Sequence, residues 1–107
     1  MIELNLLLAG HFLADIGLQP DWVLKEKYKV FKTQLGTIAL FGHASIHWLV
    51  AYMIAAYLGF ADPYIVANII GGTHFFIDVG KIKGRYGVFA DQILHYLVII
   101  LCVLWFV

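Results

Sequence analysis

The sequence predicts an all-α fold. It reads as a polytopic membrane protein with four transmembrane helices in a bundle, plus a short interfacial helix over 21–34. Three observations carry this reading. The 107-residue chain is 63% hydrophobic and only 13% charged, with a mean hydropathy of +0.87, whereas soluble domains carry roughly 25% charged residues. Four apolar stretches alternate with three polar connections. All seven Lys and Arg residues fall in the first and third of those connections. The length allows a single domain, 1–107.

The first span, 2–18 (IELNLLLAGHFLADIGL), is close to the minimum of about 17 residues for crossing hydrocarbon. A signal peptide is the alternative, but Glu3 stands where a basic region belongs and no A-x-A site follows. Pro20 ends or redirects the helix. In 21–34, Leu24, Tyr28 and Phe31, continued by Leu35, fall on one side at helical spacing, and Lys25, Lys29 and Lys32 on another. That pattern fits an amphipathic helix on an anionic leaflet; a solvated loop is the plainer alternative. The second span, 35–61, exceeds a bilayer and must tilt or protrude. Ala61, Asp62 and Pro63 make a tight turn. The third span, 64–80, holds Gly71 and Gly72, which would let a neighbouring helix approach closely. A basic loop over 81–87 leads to the fourth span, 88–107. Trp22 and Tyr86 are expected at one interface, Tyr64 and Trp105 at the other; Trp48, mid-span, reads as a packing residue. The single Cys102 excludes an internal disulfide and reads as a small packed or lipid-facing residue.

Four polar pairs interrupt the apolar sequence: His11–Asp15, His43–His47, His74–Asp78 and Asp91–His95. Each spans four residues, which places both side chains on one helix face. All five histidines of the chain belong to these pairs. With five His and five Asp in 107 residues, a given His meets such a partner by chance only about one time in five. The basic connections orient the chain. The positive-inside rule places both of them in the cytoplasm and both termini outside, in an inner (cytoplasmic) membrane. The order within the pairs then reverses with helix direction. Asp15, Asp78 and Asp91 are expected as a carboxylate layer facing the cytoplasm, with His11, His43, His74 and His95 beneath it and His47 one turn deeper.

A lone membrane histidine usually serves a helix–helix hydrogen bond. Eight ionisable groups at matched depth call for more, because each costs some kcal/mol in hydrocarbon. Three aspartates converging without cations would also repel one another, and a metal removes both objections. Mixed imidazole and carboxylate donors suit one or two divalent transition ions (Zn, Mn or Fe). The expected ligands are His11, Asp15, His43, His47, His74, Asp78, Asp91 and His95, with Asp15, Asp78 and Asp91 in catalytic roles. Gln19, Gln92 and Lys81 are expected in the surrounding shell or in contact with substrate. Ordinary interface polarity remains open for the glutamines, and a plain topology lysine for Lys81. The function expected is metal-dependent hydrolysis of an ester or phosphoester at the inner leaflet. The alternative is transition-metal or proton binding and transport. A di-iron lipid oxidase would call for more histidines and for adjacent His-His pairs, which the chain lacks. The expected partners are membrane lipids and a small-molecule or lipid substrate, with no nucleic acid; a homo-oligomer is compatible.

The runs GHFLAD and LQPDW within 10–22, the HxxxH of the second span, THFFID with Lys81 within 73–81, and DQxxH over 91–95 resemble an uncharacterised group of small bacterial and phage membrane proteins, catalogued as a domain of unknown function. More distantly, the chain is similar to inner-membrane proteins designated, by inference, metal-dependent hydrolases. The resemblance covers nearly the whole chain. It implies a four-helix membrane fold with the eight His and Asp residues above as the shared polar set, and no defined substrate.

Overall fold

The computed structural model describes residues 2–107. Helix α1 (Ile2–Phe12) continues directly into a π-helical turn, Leu13–Gly17. Pro20 then starts the short α2 (Asp21–Glu26), which tightens into a 3-10 turn, Lys27–Lys29. Three long helices follow: α3 (Gln34–Tyr57), α4 (Pro63–Ile82) and α5 (Val88–Phe106). Among the described residues there is no strand.

Local chemistry sets the ends of these helices. Thr33 Oγ1 accepts the Gly36 N–H at 2.9 Å and caps α3; Asp62 Oδ1 accepts the Ile65 N–H at 3.3 Å and caps α4, with Pro63 as its first residue. Helices α3 and α4 both end in a glycine in the left-handed region, Gly59 (φ 77°) and Gly84 (φ 76°). At each, the glycine N–H and the next N–H turn back onto the last carbonyls: Gly59 to Ala56 and Phe60 to Ala55, Gly84 to Lys81 and Arg85 to Gly80. Gly59 therefore stops α3 at Tyr57, earlier than the 35–61 span expected from hydropathy alone.

Helices α3, α4 and α5 are each long and apolar enough to cross a membrane, as expected of a membrane protein. Helix α1 with its π turn is shorter, ending at Gly17. It lies against both α3 and α5, α3 packs on α4, and α4 on α5. Gly71 sits where α4 meets α3: a Cβ there would lie 2.8 Å from Trp48 Cβ. Gly72 faces open space, so only the first of the two glycines serves close approach.

Polarity is inverted relative to a water-soluble protein. Phe41, Met53, Phe76, Leu101 and Trp105 are exposed, while five histidines, two aspartates and one lysine are buried. The buried polar groups occupy the half nearer the basic connections. The other half has an apolar core of Leu7, Ala51, Ala55, Phe60, Val66, Ile70, Ile99, Cys102 and Val103.

The segment 21–34 is not one helix. Leu24, Tyr28 and Phe31 are exposed, as are Lys25, Lys29 and Lys32. Its inward face is a different stripe: Val23, Lys27 and Val30. At Gly36 a Cβ would meet the Lys29 carbonyl oxygen at 2.5 Å, so the start of α3 runs directly beneath this segment.

Candidate metal centre

Five helical elements deliver the polar side chains to one place. The π turn presents Asp15; α3 presents His43 and His47, one turn apart; α4 presents His74 and Asp78; α5 presents Asp91 and His95. Helix α1 adds His11 from its last turn. The π turn closes its hydrogen bonds one residue farther along than an α-helix, as in Leu18 N–H to the Leu13 carbonyl, and is a recurrent device at functional sites. No propensity pattern in LADIG announces it.

The tightest group is Asp15, His43, His47 and His74. Asp15 Oδ1 lies 3.0 Å from His43 Nε2, 3.4 Å from His47 Nε2 and 3.7 Å from His74 Nε2. His43 Nε2 and His74 Nε2 face each other at 3.0 Å. Four donors about 2.0–2.1 Å from a tetrahedral zinc ion stand roughly 3.3 Å apart, and the four distances bracket that value. The chemistry also fits. Only one of two facing imidazole nitrogens can carry a hydrogen toward the other, and the buried His47 Nε2 has no hydrogen-bond partner. One cation accepting lone pairs from all four atoms would resolve both conditions.

A second group joins Asp78, Asp91 and His95. His95 Nε2 is 3.3 Å from Asp78 Oδ1 and 3.5 Å from Asp91 Oδ1. Here two cations are already present. Lys27 Nζ is 3.6 Å from Asp78 Oδ2, and Lys81 Nζ is 3.7 Å from Asp91 Oδ2. The carboxylates therefore do not converge unopposed, and this second group needs no ion for charge balance. A third group, His11, His74 and His95, contains no carboxylate and shares members with the other two.

The expected carboxylate layer over a histidine layer is not what forms. Carboxylate oxygens and imidazole nitrogens interleave, and His47, expected a turn deeper, reaches Asp15. Helical side chains lean toward their own N-terminus. Helices α1 and α3 are antiparallel, with Asp15 beside His43 and His11 beside His47. Asp15 therefore leans away from the basic connections and His47 leans toward them, so the two meet between their Cα levels.

Gln92 ties the groups together. Its Oε1 meets His11 Nε2 at 3.1 Å, and its Nε2 donates to Asp15 Oδ2 at 3.2 Å and to Asp91 Oδ2 at 3.0 Å. Gln19 donates to the Asp15 backbone carbonyl at 2.9 Å and leaves its own buried Oε1 without a partner. Lys81 belongs to the last turn of α4 rather than to a loop. In the connection that follows, Tyr86 gives its hydroxyl to the Ile77 carbonyl. Burial first, then the Asp91 and Asp78 carboxylates, hold this phenol above its ordinary pKa, so it stays a neutral donor near pH 7. Of the charged side chains at the site, Asp15 and Lys81 are the most exposed, at 16% and 15%.

Lys27 is the residue that sequence reasoning missed. Its signal was present: Val23, Lys27 and Val30 stand at i, i+4 and i+7, so a lysine interrupts an otherwise apolar stripe.

The chain matches the family described as "Protein of unknown function (DUF3307)" over residues 4–107, and it belongs to that family. No curated protein and no solved structure matches it. An uncharacterised family is what the motifs led us to expect, and the match bears out that much.

Proposed function

We propose that this member of a family of unknown function is a four-span protein of the cytoplasmic membrane, a helical bundle that holds a divalent transition ion and hydrolyses an ester or phosphoester at the inner leaflet. One observation carries the reading: Asp15 Oδ1 and the Nε2 atoms of His43, His47 and His74 converge at the spacing of a tetrahedral site. Three neutral imidazoles and one carboxylate suit zinc, with manganese or iron as the other ions this donor set accepts. Such an ion would supply a Lewis acid that polarises an ester or phosphoryl oxygen and makes nearby water more acidic. Asp15 is the partly exposed member of the set, so substrate and water would come in along its edge. Gln92 fixes the Asp15 carboxylate through Oδ2 and leaves Oδ1 for the ion.

A conduit for ions or protons would need polar groups through the full thickness of the fold. The half beyond His47 is closed by the apolar core around Ile70, Ile99 and Val103, which favours a one-sided site. The test assays both activities on one zinc-loaded preparation reconstituted in vesicles. Hydrolysis of an ester or phosphoester panel that is abolished by Asp15→Asn is expected. Robust zinc or proton flux with no hydrolysis across the panel would overturn the reading.

A further inference from the structure

We propose that the metal-loaded site takes a phosphate-class anion, held between the ion and the ammonium groups of Lys27 and Lys81. The inference rests on the metal reading above and narrows its substrate class. It begins with charge. Three carboxylates (Asp15, Asp78, Asp91) face two ammonium groups in the site, and a divalent cation more than offsets the one charge left over, whether or not an imidazole is protonated. The loaded site then carries net positive charge inside a largely buried volume. Uncompensated charge there is costly, so the loaded site favours an anion.

The ion pairs show which groups would meet that anion. Lys27 and Lys81 stand 3.6 and 3.7 Å from their carboxylates, beyond the 2.7–3.2 Å of a hydrogen bond. Asp78 Oδ2 and Asp91 Oδ1 are buried without hydrogen-bond partners. These ion pairs are loose, and each ammonium keeps donors for another acceptor. The pairs flank the first metal group directly: Asp78 Oδ2 is also 3.3 Å from His74 Nε2 and 3.6 Å from His43 Nε2. Access lies on the same side, where Asp15 and Lys81 are partly exposed. Lys25, Lys29, Lys32, Lys83 and Arg85 are exposed along that rim and would draw anions toward it. A phosphate group has three terminal oxygens, enough to meet one ion and two ammonium groups together; a carboxylate has two. The shared chemistry covers inorganic phosphate, a soluble phosphomonoester and the monoester head group of phosphatidic acid.

The test is calorimetric titration of inorganic phosphate into the full chain, with and without one equivalent of zinc, in a neutral detergent. One phosphate per chain is expected with zinc and none without it. Lys81→Gln should weaken binding at least tenfold, whereas Lys25→Gln, on the exposed rim, should change it less than twofold. Because Lys27→Gln could fail to fold, Lys27→Arg is the second variant; it keeps the charge and should retain phosphate binding with unchanged helical circular dichroism. Competition then distinguishes the sources. Displacement by phenyl phosphate assigns a soluble monoester, and displacement only by phosphatidic acid added in mixed micelles assigns a lipid head group. Phosphate binding that is independent of zinc, indifferent to Lys81→Gln or matched by acetate would overturn the proposal. Zinc binding without phosphate binding overturns it and leaves the metal reading intact; absence of zinc binding overturns both.

Discussion

Replacing Lys27 by Met tests whether the segment between α1 and α3 is held by a buried charge. Met keeps most of the apolar stem and removes the ammonium, leaving Asp78 without its lysine. The side chains of Lys27 and Asp78 are 3% and 2% exposed, so solvent screening takes little away. Breaking a buried pair from one side costs about 3–5 kcal/mol. His74, His43 and His95 remain within 3.3–3.6 Å of the Asp78 oxygens and soften the loss. The lower end is therefore expected, about 3 kcal/mol, or roughly a hundredfold in the folding equilibrium. Removing the carboxylate as well, in Lys27→Met/Asp78→Asn, should recover about 2 kcal/mol of that loss as coupling energy. The assay is unfolding by sodium dodecyl sulfate in mixed micelles, followed by helical circular dichroism, with all variants stripped of metal. A single-variant cost below about 1 kcal/mol, or a double variant equal to the sum of the singles, would refute the reasoning.

Other outcomes follow from the same geometry. Elemental analysis of purified protein should find about one transition ion per chain; His74→Ala, which removes a member of two of the three His/Asp groups, should lose it with little change in helix content, and retention of the ion would count against the site. Gly71→Ala should destabilise by about 1–3 kcal/mol, because its Cβ would stand 2.8 Å from Trp48 Cβ. Gly72→Ala, in open space, should be neutral or stabilising by up to about 1 kcal/mol; equal effects of the two changes would contradict the packing of α4 on α3. In a Cys102→Ser background, single cysteines replacing Lys29 and Lys83 should label from the cytoplasm and one replacing Asp62 from outside. Labelling of the first two from opposite sides would overturn the four-span topology proposed above.

The helical parts of the site were legible because a four-residue spacing maps onto one helix face without knowledge of the neighbours. His43 with His47, and His74 with Asp78, follow from the period alone. The reversal from His-before-Asp to Asp-before-His in the last helix also carried real information about direction. What escaped was set by tertiary contact. Which side of 21–34 faces inward depends on the surface beneath it, and Lys27 turns in because Asp78 waits there. The interleaving of Asp15 with His47 depends on the opposed lean of side chains in antiparallel helices. The π turn at Leu13–Gly17 alters the aim of Asp15 with no residue in the segment to mark it. Charge was misread for a related reason: the sequence places Lys27 and Lys81 in connections, but their stems are long enough to bring both ammonium groups back to the aspartates.

The inverted polarity of the fold bears on how such a protein is made. A helix entering the bilayer alone must carry its ionisable groups without partners, and α4 carries His74, Asp78 and Lys81. A charge at the middle of a lone span costs about 2.5–3.5 kcal/mol and much less near its end. In α4 and α5 these residues gather toward one end, where a solitary helix could keep them among the lipid head groups during insertion, whereas His43 and His47 stand mid-way along α3 and would enter as neutral imidazoles. The apolar remainder of each helix can then enter the membrane independently. Only when the helices associate do imidazoles, carboxylates and ammonium groups find one another, so the chemistry of the site is also a reward for correct assembly, delivered late in biogenesis.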